Sequence, residues 1–295
     1  MVLRPQAAPP WRRPAPPTVT AVREQLRAQF PQLAALPIVR LGQGWDNTAW
    51  SVGPWVFRFP RREDTARLLA RERIWLPQLA GVLPVAIPHP VFFGQPTEHC
   101  PWPFVGYRRL RGQTACSVSL TASQTRALAE AMGDALARLH ARPVPDRLPR
   151  DEHGRTDPAR VLAALQRRGV SGDIGALAAS LQDTPRHRGA PVWTHGDLYA
   201  RHLLLDERRR LCGVIDWGDL HAGDPATDLS LGFMLFGGVD RQTFLAAYGP
   251  VDAATAARAR LRALYCSVVL AALGEGTGDA ELLSVGRSGL ERVRR

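Results

Sequence analysis

The chain has no lysine: all 38 of its basic residues are arginine. It is also poor in cysteine, with only Cys100, Cys116, Cys212 and Cys266. None of these stands in C-x-x-C spacing, which argues against a structural zinc site and a disulfide framework and fits a reducing compartment. No uninterrupted apolar run approaches the ~18 residues of a membrane-spanning helix, so no membrane partner is expected. The first 17 residues are rich in proline and arginine and lack an apolar stretch. They are no secretory signal; a disordered leader over 1–17 and a cytoplasmic location are expected.

The formal net charge of +11 raises the question of nucleic acid. The arginines, however, are dispersed, and the densest groups, Arg108-Arg109-Leu110-Arg111 and Arg208-Arg209-Arg210, are short. No basic stripe interleaved with aromatics is present, the pattern that stacks single-stranded bases. A nucleic-acid partner is therefore not expected. At 295 residues the chain can bury a full core, as one or two domains.

Hydrophobic periodicity divides the chain. Residues 18–30 read as a short amphipathic helix carrying Val22, Leu26 and Phe30. Short β-like runs follow at 38–41, 49–52 and 55–59, the last two joined by the turn pair Gly53-Pro54. Residues 64–79 read as a helix, and 91–93 and 104–107 as two more strands. From about Gly112 the pattern becomes helical: 121–142, 158–168, 173–181, 224–236, 241–248, 253–273 and 280–294. The expected class is α+β, with an antiparallel β lobe and one inserted helix at 18–110, and a mainly helical lobe at 111–295.

Two aspartates, 19 positions apart, each sit at a break in an apolar run. The first is in Trp193-Thr194-His195-Gly196-Asp197, the second in Val214-Ile215-Asp216-Trp217-Gly218. Between them lie Leu203-Leu204-Leu205 and a polar turn at 206–210. Strand, turn, strand brings both carboxylates to one end of a hairpin. Two acids with separate tasks suit metal-assisted phosphoryl transfer, in which a base orients the acceptor hydroxyl and a hard oxygen ligand holds Mg²⁺.

Protein kinases carry H-R-D-x-x-x-x-N followed by D-F-G. Here His195-Gly196-Asp197, four residues and His202 precede Asp216-Trp217-Gly218. The chain thus resembles the aminoglycoside phosphotransferase family, the small-molecule branch of the protein-kinase-like fold, whose signature is H-G-D-x-x-x-x-N followed by I-D-W or I-D-F. The resemblance implies the two-lobed kinase-like plan with nucleotide between the lobes. It implies Asp197 as the base acting on the acceptor hydroxyl, His195 as a loop anchor, and Asp216 as a metal ligand. His202 stands where the family has asparagine, as in the macrolide phosphotransferases. It is the second candidate metal ligand, softer than an amide oxygen.

Leu41-Gly42-Gln43-Gly44-Trp45-Asp46-Asn47 lies between two expected strands. Its glycines let backbone lie close over phosphates, and Gly42, Gly44 and Asn47 are candidate nucleotide contacts. Arg58, mid-strand, is the replacement for the family's phosphate-contacting lysine, with Glu72 on the next helix as its partner. Tyr107, where the chain crosses between lobes, completes the nucleotide group. The resemblance also implies that Asp219, Asp224 and Asp228 stabilise the loop, with capping favoured for Asp224 and Asp219 open to substrate.

Seven residues separate Asp216 from Asp224. A protein kinase needs a longer activation segment there to hold a peptide. The acceptor is expected to be a small molecule, with aminoglycoside and macrolide antibiotics, choline and amino sugars among the classes open. Four aspartates within 216–228 suggest an acidic wall. The expected activity is transfer of the γ-phosphoryl group of ATP or GTP, with Mg²⁺, by a monomer or weak homodimer. A kinase-like nucleotide-binding regulatory protein with weak or no turnover is the alternative left open by Arg58 and His202.

Overall fold

The computed structural model describes residues 16–43, 47–98 and 100–295. Helix α1 (Val19–Gln29) is capped by the Thr18 hydroxyl, which accepts from the Ala21 amide. Five antiparallel strands follow: β1 (Ile38–Gln43), β2 (Asn47–Val52), β3 (Trp55–Pro60), β4 (Pro90–Gly94) and β5 (Phe104–Arg108). Their order across the sheet is β1-β2-β3-β5-β4. Helix α2 (Glu63–Trp75) connects β3 toward β4. The expected single helix over 64–79 ends early. At Leu76 the chain tightens into a 3₁₀ turn, Leu76–Leu79, because Pro77 cannot continue the α-helical hydrogen bonding.

Strand alternation assigns the two faces of this sheet. Phe57 and Phe59 of β3 and Phe104 of β5 point to one side, where they pack with Val22 and Leu26 of α1. Each of these aromatics is nearly fully buried, worth about 1.5–3 kcal/mol apiece relative to exposure. Arg58 and, on β5, Val105 and Tyr107 point to the other side, toward α2 and the main core. Arg58 pairs with Val105 and Val56 with Tyr107, so Arg58 and Tyr107 share a face two pairs apart. Leu69, Trp75, Leu76 and Leu79 join that same core, which continues without a break into the helical part.

The remaining helices are α3 (Ala122–His140), α4 (Pro158–Arg167), α5 (Gly172–Ser180), α6 (Ala226–Leu235), α7 (Gly238–Tyr248), α8 (Ala253–Thr277) and α9 (Ala280–Arg294). Helix α3 opens with a reciprocal capping box between Thr121 and Gln124. Short strands are set among them: β6 (Gln113–Thr114), β7 (Val192–Thr194), β8 (Leu203–Leu205), β9 (Leu211–Val214) and β10 (His221–Gly223). Strands β8 and β9 form the expected hairpin, with β6 at its edge, while β7 pairs with β10. Asp197 precedes β8 and Asp216 follows β9, so both aspartates lie at the same end of the hairpin.

No helix among the described residues is long and apolar enough to cross a membrane. The 1–17 leader falls almost wholly outside the described residues.

Candidate active site

The loop between β7 and β8 is fixed from beneath by one buried carboxylate. Asp228, on the first turn of α6 and fully buried, accepts from the His195 amide at 2.8 Å and the Gly196 amide at 3.0 Å. His140 Nε2 lies 3.2 Å from the same carboxylate. Burial alone would raise the Asp228 carboxyl, but the bond from His140 and the Gly196 amide hold it below the ordinary carboxylate range. Gly196 adopts φ 91°, and a Cβ there would run into the Asp219 carbonyl oxygen. Only glycine fits this turn.

His195 is fully buried, and burial lowers its pKa, keeping it neutral. Its Nε2–H donates to the Ile215 carbonyl at 3.0 Å, and its Nδ1 accepts from the Asp197 amide at 3.3 Å. These two bonds fix its tautomer and tie the loop to the strand end that carries Asp216. Both ring nitrogens of His195 are thus engaged with backbone. Asp197 itself is half-buried. Burial raises its carboxyl above the usual range, with His202 opposing and Asp219 reinforcing.

Facing it, His202 donates from Nδ1 to the Asp197 carbonyl at 2.7 Å. With Nδ1 engaged there, the other ring nitrogen, Nε2, faces Asp216. It lies 3.5 Å from Asp216 Oδ2. Asp216 is one of two non-glycine residues at positive φ, 67°, among those described. Its neighbour Trp217 is buried and donates to the Val214 carbonyl at 2.9 Å, holding the turn. Partial burial pushes the Asp216 carboxyl up, but Arg58 and His202 outweigh it and leave the pKa at about 2.

Arg58 links the sheet to this point. One guanidinium nitrogen donates to Glu72 Oε1 at 2.8 Å and another to Asp216 Oδ1 at 2.6 Å. Burial would lower its pKa, but the two carboxylates raise it further above its already high value. Glu72, only 1% exposed, is raised by burial and lowered by Arg58, and its second oxygen accepts from the Tyr107 hydroxyl. The expected Arg58–Glu72 pair is present. Tyr107 reaches the group through Glu72, since its ring is buried and its hydroxyl is engaged there.

Gly42 sits at the register shift of β1, where a Cβ would meet nothing within 4 Å. Asn47 opens β2, buried, with its side-chain oxygen unpartnered among the described residues. Gly44 lies outside the described residues, so Gly42 and Asn47 are the parts of that turn whose places are defined.

The expectation of an acidic wall over 216–228 is corrected. Asp228 is held inside by the loop. Asp224 is buried, accepting from Arg258 Nε at 2.6 Å and Thr156 at 2.8 Å, and from the Ala226 amide at 3.0 Å. The N-cap of α6 is Pro225, so Asp224 engages the first amide of the helix from one position before the cap. Asp219 is paired with Arg155. Counting carboxylates along the chain misses this because each partner comes from a distant element. Arg155, Arg258 and His140 give no local signal in the sequence, and the structure supplies them.

Beside Asp197 a small hollow of about 80 Å³ opens between the loop, α6 and α8. Among the described residues, no three metal-type side chains converge on one point. His202 Nε2 and Asp216 Oδ2 remain as a facing pair.

Comparison with known proteins places the chain in a family. Residues 37–264 match the Phosphotransferase enzyme family. Among curated proteins, the uncharacterized protein YcbJ of Bacillus subtilis (strain 168) is 26% identical over 205 residues, 62% of this chain and 64% of that protein. The match thus spans less than two thirds of that relative. Among solved structures, the GDP and kanamycin complex of APH(2")-IIIa superposes with a TM-score of 0.73 at 27% identity, covering 92% of this chain and 97% of that one. Macrolide 2'-phosphotransferase type I gives 0.66 at 26% identity, covering 94% and 99%. The two-lobed α+β fold is the one those kinases have. With more than half its length matched by the family, this chain belongs to the phosphotransferase enzyme family.

Proposed function

We propose that the protein transfers the γ-phosphoryl group of ATP or GTP to a hydroxyl of a small molecule. The observation that carries this reading is the meeting of Asp197, His202, Asp216 and Arg58 at one end of the β8–β9 hairpin. Phosphoryl transfer asks for positioning and charge neutralisation rather than a strong nucleophile. Asp197 stands at the mouth of the hollow, raised above the ordinary carboxylate range, and is suited to take the acceptor's proton. His195 and Asp228 hold its backbone.

His202 Nε2 and Asp216 Oδ2 are two acceptor atoms facing one another with no proton between them in the neutral tautomer, an arrangement that favours a cation. That pair fits Mg²⁺, which takes few protein ligands and completes its shell with phosphate and water. When bound, Mg²⁺ neutralises charge on the transferred phosphoryl group. Arg58 presents a planar fork next to it, shared between Glu72 and Asp216. It can turn one arm from Asp216 to a phosphate oxygen without leaving Glu72. The complexes of relatives with GDP support a nucleotide donor, and the kanamycin complex supports a hydroxyl-bearing small acceptor.

The test is acceptor-stimulated release of ADP or GDP across aminoglycosides, macrolides, amino sugars and hydroxy acids, with Asp197→Asn as control. Stimulation lost in Asp197→Asn is expected. Stimulation equal in the two proteins removes Asp197 from the chemistry.

A further inference from the structure

Helix α8 carries two arginines one turn apart, and they are treated differently. Arg258 is buried and fully engaged: Nε donates to Asp224 at 2.6 Å, Nη1 to the Pro185 carbonyl at 3.0 Å and Nη2 to the Thr255 hydroxyl at 2.9 Å. Arg262, four residues on, makes no hydrogen bond or ion pair with any described residue. Its guanidinium lies 5.5 Å from the centre of the Tyr265 ring and lines the hollow beside Asp197. Burial opposes its charge and the nearby Asp197 and Asp219 carboxylates favour it, yet no acceptor meets its N–H groups, which leaves them open to an anion entering the hollow.

A second group in the same wall is also unpartnered. Thr227 of α6 is 2% exposed, and its hydroxyl has no hydrogen-bond partner among the described residues. The rest of the wall is largely apolar, including Leu198, Val269 and Leu270. Among the described lining residues Asp197 is the only carboxylate. A polycation would need several; this wall offers it one, opposite a fixed positive charge.

We propose that the acceptor is a hydroxyl compound with an apolar body and an acidic group of the carboxylate type, and that Arg262 is the residue that selects the acidic group. The inference rests on the phosphotransferase reading for the hydroxyl end, where Asp197 stands. Arg262 can grip a carboxylate with two parallel N–H bonds, and the Thr227 hydroxyl offers a further polar contact in the same wall.

The probes are para-hydroxymethylbenzoate, its methyl ester and para-hydroxymethylbenzylamine, which share one body and differ in charge. Turnover is measured with the full-length protein, and binding by calorimetry in Asp197→Asn, so that affinity is read without chemistry. The carboxylate is expected to bind best in both. In Arg262→Met the ratio of carboxylate to ester affinity should fall roughly 10- to 100-fold, the worth of one charge-assisted pair. Arg262→Lys should recover part of it, and Arg262→Glu should shift preference to the amine. Carboxylate binding that depends on Arg262 without any turnover supports the anion seat and refutes the phosphotransferase reading instead. Absent carboxylate binding, an amine bound as well as the carboxylate, or a ratio unmoved in Arg262→Met overturns the inference.

Discussion

Replacing Asp228 with asparagine is a demanding perturbation because it changes almost no volume. The carboxylate is fully buried and serves three donors: the His195 amide, the Gly196 amide and His140. An asparagine amide can offer one oxygen to the His195 amide and His140. Its NH₂ then faces the Gly196 N–H, donor against donor. One charge-assisted bond is lost and a buried donor is left unmatched, together about 3–4 kcal/mol. For a chain of this size that lowers the melting temperature by roughly 6–12 °C. The loop bearing Asp197 loosens with it, so turnover should fall by more than the folded fraction does.

The pH dependence of this effect has a defined sign. The folded pKa of Asp228 is depressed, so its stabilisation is present above the unfolded value near 3.8 and is lost as pH falls through the folded one. The gap in melting temperature between wild type and Asp228→Asn should be flat at neutral pH and close only below about 4. Calorimetric melts at several pH values measure it. A gap under about 1 °C at neutral pH, with turnover intact, refutes the idea that Asp228 holds the loop.

Further consequences concern the other groups at the site. Arg58→Met leaves Glu72 buried without its cation, which should cost about 3–5 kcal/mol and weaken nucleotide binding; Arg58→Lys should recover part of both, and melts with nucleotide titrations check this. Gly196→Ala forces a side chain against the Asp219 carbonyl at a φ of 91°, so turnover should collapse while nucleotide affinity changes little; an unchanged kcat refutes it. Because Asp197 is raised, the acid limb of kcat/KM should lie above the ordinary carboxylate value near 3.8, rate falling as the base takes up its proton; a limb at or below that value contradicts the role. His202→Asn should shift the preference between Mg²⁺ and Mn²⁺, whereas an unchanged metal profile separates His202 from the cation.

Much of this was readable in the chain because the signals are local. The strand alternation that points Phe57 and Phe59 one way and Arg58 the other is a period-2 pattern, and the break at Asp197 and Asp216 is marked by the flanking apolar runs. What was not readable depends on partners distant in sequence. Strand β10 is three residues long and exists because it pairs with β7, some 27 positions earlier. The supposed acidic wall failed for the same reason: Arg155, Arg258 and two backbone amides consume three of its four carboxylates. Arg262 sits among other arginines on a long helix and looks like surface charge until the helix is seen to face the hollow. The positive φ of Asp216 has no sequence signal, since a non-glycine residue reaches that region only where its surroundings impose it.

The most direct test of the central claim is ³¹P NMR of the reaction with ATP or GTP and a stimulating acceptor, run with wild type and with Asp197→Asn at matched nucleotide saturation. A new phosphomonoester resonance with the wild type, absent with Asp197→Asn although nucleotide affinity is preserved, is the predicted result. An equal resonance from both proteins, or only inorganic phosphate from the wild type, contradicts the account.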